Sequence, residues 1–171
     1  MSLIARLLGT ARDETADVRA LWHRIVELAR ARAWYATCGV ADTLPGRFDA
    51  ITLVLSLALL RMERDESLAS PSVRLTELFI DDMDGQLREA GIGDMVVGKH
   101  IGKLMSAMGG RLGAYREALG QIDDTALQAA LERNITLTEG ANLAALAAAV
   151  RALAARLDTT EAAALIAGDI A

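Results

Sequence analysis

The stretch from Arg47 to Asp65 constrains the fold more than any other part of the chain. Ile51, Leu53, Val54, Leu55, Leu57, Leu59 and Leu60 leave almost no polar face. A helix that is apolar all round must be covered on every side, so the spacing predicts a central, buried helix with other helices around it. Ser56 in its middle can bond back to its own backbone. The run is too short to span a membrane, because Ala50–Leu60 is bracketed by Arg47, Asp49 and Arg61 and a span needs about 20 apolar residues.

The covering helices are legible in the same way. Val18, Leu21, Trp22, Ile25, Leu28 and Ala29 form one apolar stripe, which predicts a helix over 14–37 that stops at Gly39. Asp42-Thr43-Leu44-Pro45-Gly46 reads as a turn, and the charged, Ser-rich Glu63–Ser72 with Pro71 reads as a loop. Leu75, Phe79, Met83 and Leu87 mark a third helix over 73–90, closed by Gly91 and followed by Asp94 as an N-cap. Val97, Ile101, Leu104, Met108, Leu112, Tyr115 and Leu119 mark a fourth over 95–119. A short amphipathic helix over 123–133, a connector over 134–140, a seam of Leu143, Leu146, Val150, Leu153 and Leu157, and a last short helix ending near Gly168 complete the chain. The expected architecture is all-α: one compact multi-helix domain of six to seven helices over 13–171, preceded by a short amphipathic segment, 1–12.

Composition supports helix throughout and narrows function. The chain has 33 Ala and only 2 Pro in 171 residues, and these are the residues that cost a helix least and most. One Cys and two His exclude a disulfide framework and ordinary structural zinc. A net charge of −5 argues against direct nucleic-acid readout. The sequence is expected to be cytoplasmic in a reducing compartment. Ile4, Leu7 and Leu8 near the N-terminus leave open docking at a membrane surface or packing on the body.

The fourth helix carries a second pattern. Gly98, Gly102, Ser106, Gly109 and Gly113 fall at spacings of four, four, three and four, a ridge with almost no side chains. Each glycine costs roughly 1 kcal/mol of helix propensity, which something must offset. Either another helix of the same domain packs close there, which is the first expectation, or the ridge is a groove for a partner's helix. Charge is also segregated. Arg61–Asp94 holds four basic and nine acidic residues, Met95–Leu119 four basic and one acidic, and the two segments are expected to pair across the Gly91 corner.

No catalytic grouping stands out. There is no phosphate loop, Cys38 has no His near it in sequence, and His23 and His100 are placed on exposed faces. Asp81, Asp82, Asp84, Glu89 and Asp94 are the one conceivable cation site, but the first three point in different directions around one helical turn. A solvated acidic ridge, or one paired with Arg47, Lys99 or Arg111, is the expected arrangement.

Two strings carry a resemblance. One is Gly39-Val40-Ala41-Asp42-Thr43-Leu44-Pro45-Gly46-Arg47-Phe48. The other is Asp82-Met83-Asp84-Gly85-Gln86-Leu87-Arg88-Glu89-Ala90-Gly91-Ile92-Gly93-Asp94, continuing through Val97-Gly98-Lys99. Gly110-Arg111, Ala114-Tyr115, Ala118-Leu119 and Arg133-Asn134 follow in order. From about Leu21 to Gly168 the chain resembles the ubiquinol–cytochrome c chaperone family. It departs at Ala41, where members often have Pro, and at Met108-Gly109, where they often have an aromatic pair.

The resemblance implies a helical, non-enzymatic assembly factor without a cofactor. Its client would be newly made cytochrome b, met at the cytoplasmic face of a bacterial inner membrane, with a small partner protein or the ribosome exit region as further contacts. Such a holder needs an apolar groove rimmed with charge. The residues expected to contact a partner or brace that surface are Trp34, Tyr35, Asp42, Arg47, Phe48, Asp82, Asp84, Arg88, Glu89, Asp94, Gly98, Lys99, Gly102, Gly109, Arg111 and Tyr115. Among them, Arg47 or Arg88 is expected to pair bidentately with an Asp. Two other readings stand beside this one: a helical adaptor that dimerises through the Leu143–Leu157 seam, and a small enzyme using the acidic cluster with a divalent metal. Oligomeric state stays open.

Overall fold

A computed structural model describes residues 15–89 and 94–170, with side-chain surroundings for all of these except 86–89, 94–101, 103 and 104. Its helices are α1 (Arg19–Ala29), α2 (Arg32–Ala36), α3 (Leu44–Met62), α4 (Ala69–Glu89), α5 (Asp94–Leu119), α6 (Thr125–Asn134), α7 (Leu143–Thr159) and α8 (Ala162–Ile166), with 3-10 turns at Ala16–Val18 and Glu66–Leu68. The 1–12 segment and the Gly91 corner lie outside the described residues.

The all-apolar helix is central, as its sequence requires. Every residue of α3 from Thr52 to Leu60 is buried, and α1, α4, α5 and α7 pack around it. Its two buried hydroxyls are satisfied within the helix: Thr52 Oγ1 donates to the Phe48 carbonyl (2.9 Å) and Ser56 Oγ to the Thr52 carbonyl (2.7 Å). The Leu146, Val150, Leu153 and Leu157 seam of α7 is buried in the same core. It is therefore consumed within the domain and offers no free dimer seam, which removes the motive for the adaptor reading. Trp22 and Phe79 meet edge to face at 5.8 Å and join α1 to α4.

Two boundaries differ from the sequence reading. The single helix expected over 14–37 is broken at Arg30-Ala31, where Ala31 turns extended (ψ 128°). No Gly or Pro forces the break. The Trp34 indole N–H donates to the Leu28 carbonyl (2.8 Å), which also accepts from the Ala31 N–H (3.2 Å), and the Tyr35 hydroxyl donates to the Ala29 carbonyl (2.9 Å), so two aromatic donors reach the carbonyls at the end of α1. The stretch expected as a loop over 63–72 is mostly helical. Pro71 sits in the first turn of α4, where its missing N–H has no helical acceptor in any case.

Three arginines tie other chain ends across long sequence distances. Arg61 donates to the Leu157 and Thr160 carbonyls (3.1 Å each), closing α7. Arg24 donates to the Ile170 carbonyl (2.9 Å). Arg151 donates to the Leu119, Gln121 and Asp123 carbonyls and to the Asp124 carboxylate, clasping the α5–α6 turn. A cation near helix C-terminal carbonyls also opposes the negative end of the dipole.

Candidate functional site

The Gly39–Phe48 string is a clamped loop leading into α3. Gly39 has φ +83°, which favours glycine, and a Cβ there would lie 2.6 Å from the Ala141 Cα. The loop is held by an isolated antiparallel bridge between Val40 and Leu137, with Ala41 N–H on the Thr136 carbonyl and Thr138 N–H on the Gly39 carbonyl (2.9 Å each). Thr43 then caps α3, its hydroxyl accepting from the Gly46 N–H (3.3 Å). Arg47 pairs with Asp42 through one N–H at 2.7 Å, not bidentately, with both side chains exposed. That bond holds the Asp42 carboxyl below its ordinary range.

Beneath this loop lies a polar node that the sequence reading passed over. Asp49 is 7 % exposed within the apolar core. One carboxylate oxygen accepts from Arg111 Nη2 (2.7 Å), and the other accepts from the Thr136 N–H (2.9 Å) and hydroxyl (2.7 Å). The node thus joins α3, α5 and the 136–138 segment. Of the α5 arginines, Arg111 finds its carboxylate on α3, at Asp49, while Arg116 pairs with Glu63, just past the end of α3 and within the acidic 61–94 segment, as the charge segregation had suggested.

Tyr115 stands close to this node. It is wholly buried, and among the described residues its hydroxyl has no hydrogen-bond partner. Burial pushes its pKa well above the usual tyrosine value, against the nearby Arg111 charge, which pulls it down, and with Asp49, which pushes it up. Tyr35, the other tyrosine of the chain, is raised by burial and by Asp42. A raised folded-state pKa gives stability that is full below pH of about 10 and lost as pH rises through the folded value. In a Tyr35→Phe variant, the 295 nm phenolate absorbance should therefore appear together with the loss of far-ultraviolet circular dichroism. Ionisation of Tyr115 near pH 10 in a still-folded chain would contradict its placement.

The remaining expected site residues divide by position. Trp34 and Tyr115 face the interior, and Arg111 is turned inward to Asp49. Tyr35, Phe48 and Asp84 are half-buried, while Asp42, Arg47 and Asp82 are exposed. Asp82 and Asp84 each have an interaction with a neighbour. Arg88, Glu89, Asp94, Gly98 and Lys99 lie outside the residues whose side chains are described. Among the described residues, no group of His, Cys, Asp or Glu is placed to hold a metal ion. Cys38 is buried, which pushes its thiol up.

The small-residue ridge is where expectation and structure differ most. Gly102, Ser106, Gly109 and Gly110 are exposed, and a Cβ built on Gly102, Gly109, Gly110 or Gly113 would meet nothing within 4 Å. Among the described residues, nothing packs against it there. The backbone of α5 is bare to solvent from Gly102 to Gly110 on that side and half-covered at Gly113, so the propensity cost is not offset by close packing among the described residues. Farther along, α3, α5 and α7 bound an open cleft of about 560 Å³. Leu60, Leu119, Ala154 and Ala155 make its floor, and the Arg116–Glu63 and Arg64–Asp158 pairs make its rim.

Comparisons with known proteins agree with this geometry. The family model described as Ubiquinol-cytochrome C chaperone matches residues 36–171. A crystal structure of the Cbp3 homolog from Brucella abortus is 36% identical and superposes with a TM-score of 0.79, covering 99% of this chain and 96% of that one. No curated protein matches.

Proposed function

The chain belongs to the ubiquinol–cytochrome c chaperone family, and from that premise we propose that it is a non-catalytic holder of newly made cytochrome b during assembly of the ubiquinol–cytochrome c reductase. The family match over 36–171 carries this reading. Physical chemistry adds a surface on which it can act. Membrane helices associate by close packing on small residues, so an exposed line of Gly and Ser admits an apolar client helix nearer to the backbone than a side-chain-covered face would. Gly102, Ser106, Gly109, Gly110 and Gly113 offer that line, and the Asp49–Arg111 bond fixes the helix that bears it. Among the described residues, no helix is long and apolar enough to cross a membrane. In this reading the client is received at the membrane surface, on the side where it is made. The small partner protein and the ribosome exit region belong to the same proposal as additional contacts.

Deleting the gene should lower assembled reductase in membranes, read as haem b absorbance and as the intact complex on native gels. Normal amounts would remove the reading. The ridge has its own test. Gly109→Ala should stabilise the isolated protein by about 1 kcal/mol, because helix propensity improves and the new methyl meets nothing. Gly109→Leu should fold as well as the parent yet fail to restore reductase in the deletion strain. Full restoration by Gly109→Leu would separate the ridge from the function.

A further inference from the structure

Leu44 and Pro45 form an exposed apolar tip on the Gly39–Phe48 string. Leu44 is 80% exposed, although it opens the most apolar helix of the chain. A lone exposed leucine needs no explanation, but this one stands on a rigid support. Thr43 caps the helix beside it, and Gly46 is pinned against the Ala41 carbonyl. An anchor held in one geometry loses little freedom when it binds. Phe48, one helical turn on, and Tyr35 are half-buried and extend the apolar surface behind the tip.

Positive charge gathers around this tip. Residues 30–48 hold three basic residues and one acidic residue, in a chain whose net charge is −5. The Asp42, Arg47 and Arg30 charges all act on the Tyr35 hydroxyl, which places them on one patch beside Leu44. Arg47 is neutralised by Asp42. Arg30 is not, and neither is Arg32 at the start of α2: both are exposed, and among the described residues neither has an ion pair or a side-chain hydrogen bond. Leu44 also stands at the positive end of the 19-residue α3. Because the rest of the chain is net negative, an anionic surface turns this patch toward itself. We propose that Arg30, Arg32, Leu44 and Pro45 are a docking face for an anionic lipid surface, with Leu44 among the acyl chains and the two guanidiniums on headgroup phosphates. A convex apolar tip beside unpaired cations matches an apolar layer lying beneath a sheet of negative charge, which is the order of groups in a bilayer. A nucleic acid offers the charge without the apolar layer. The face is independent of the glycine ridge and of the identity of the client.

Flotation of the full chain with vesicles of mixed phosphatidylglycerol and phosphatidylcholine, beside vesicles of phosphatidylcholine alone, tests this. The parent should float with the anionic vesicles, far less with the neutral ones, and less as salt is raised. Arg30→Gln and Arg32→Gln should each lower the partition coefficient about fivefold, and Leu44→Asp should lower it roughly tenfold or more. Circular dichroism should stay unchanged, because all three side chains are exposed. A parent that does not float, that floats equally with neutral vesicles, or that is released by none of the three substitutions overturns the proposal. Binding that survives them and is lost in Leu7→Asp belongs to the 1–12 segment and overturns it too. A parent that does not float, with a Leu44→Asp variant that fails to restore reductase in the deletion strain, assigns the face to a protein partner; the lipid proposal then falls while the chaperone reading stands. Vesicle binding with these variant effects beside normal reductase in the deletion strain leaves the docking face standing and removes the chaperone reading.

Discussion

Replacing Asp49 by alanine should lower the unfolding free energy by about 3–4 kcal/mol, a large share of the roughly 5–15 kcal/mol that holds a domain together. The loss does not come from the packing of a small side chain. It comes from the groups left behind. Arg111 has a side chain only 16% exposed, and without Asp49 its guanidinium stays partly buried with no carboxylate. The Thr136 N–H and hydroxyl lose their acceptor at the same time. Asp49→Asn keeps an acceptor for Thr136 but removes the charge facing Arg111, so about 2 kcal/mol is expected. In Arg111→Met the carboxylate keeps its Thr136 bonds, and the double variant Asp49→Ala/Arg111→Met should be more stable than the sum of the single losses predicts. A coupling above about 1 kcal/mol is expected from this cycle. Guanidinium unfolding reads all four proteins, provided the denaturant slope is unchanged. An Asp49→Ala cost under about 1 kcal/mol would mean that water already satisfies the node. Because Arg111 lies on α5, the same variant should also disturb the helix that carries the glycine ridge.

The sequence announced some of this structure and concealed the rest, and the division has physical causes. The core position of α3 was readable because no orientation of that helix leaves a polar side for solvent. The inward seam of α7 was readable from its three-and-four spacing. The break between α1 and α2 was not, since residues 29–32 contain no helix breaker, and the break is stabilised by indole and phenol donors reaching back to carbonyls six residues earlier. Asp49 looked like a charged bracket on an apolar run, because its partners lie 62 and 87 residues away. Arg61 and Arg151 were hidden for the same reason, each acting on a distant carbonyl. The ridge shows the limit of periodicity most clearly. Spacing placed Gly102, Ser106, Gly109 and Gly113 on one line, but it could not say which flank of the helix the domain would cover. Among the described residues, Met108 and Tyr115 turn into the core, and Gly102 and Gly109 are left bare.

Gly46→Ala should be at least as damaging as the loss of Asp49, though it adds a single methyl. The position has no unusual backbone angle, so conformational freedom is not the issue. An added Cβ would lie 2.0 Å from the Ala41 carbonyl oxygen and 3.0 Å from its carbon, which are backbone atoms that no rotamer change can move aside. Ala41 cannot easily retreat. Its N–H is bonded to the Thr136 carbonyl at 2.9 Å, and its own carbonyl accepts from the Thr43 N–H at 2.8 Å. Relief therefore requires either pulling Ala41 off the 136–138 segment or lifting the first turn of α3, which breaks the Thr43 cap. The expected cost is about 3 kcal/mol or more, the upper end of what overpacking a tight site produces. Gly85→Ala is the control. A Cβ there meets nothing, and the same residue change on α4 should stabilise by about 1 kcal/mol. Thermal unfolding of the two variants beside the parent should therefore shift in opposite directions. If Gly46→Ala melts with the parent, the loop and helix do not approach as described, and the Gly39–Phe48 string would need a reason other than this close contact.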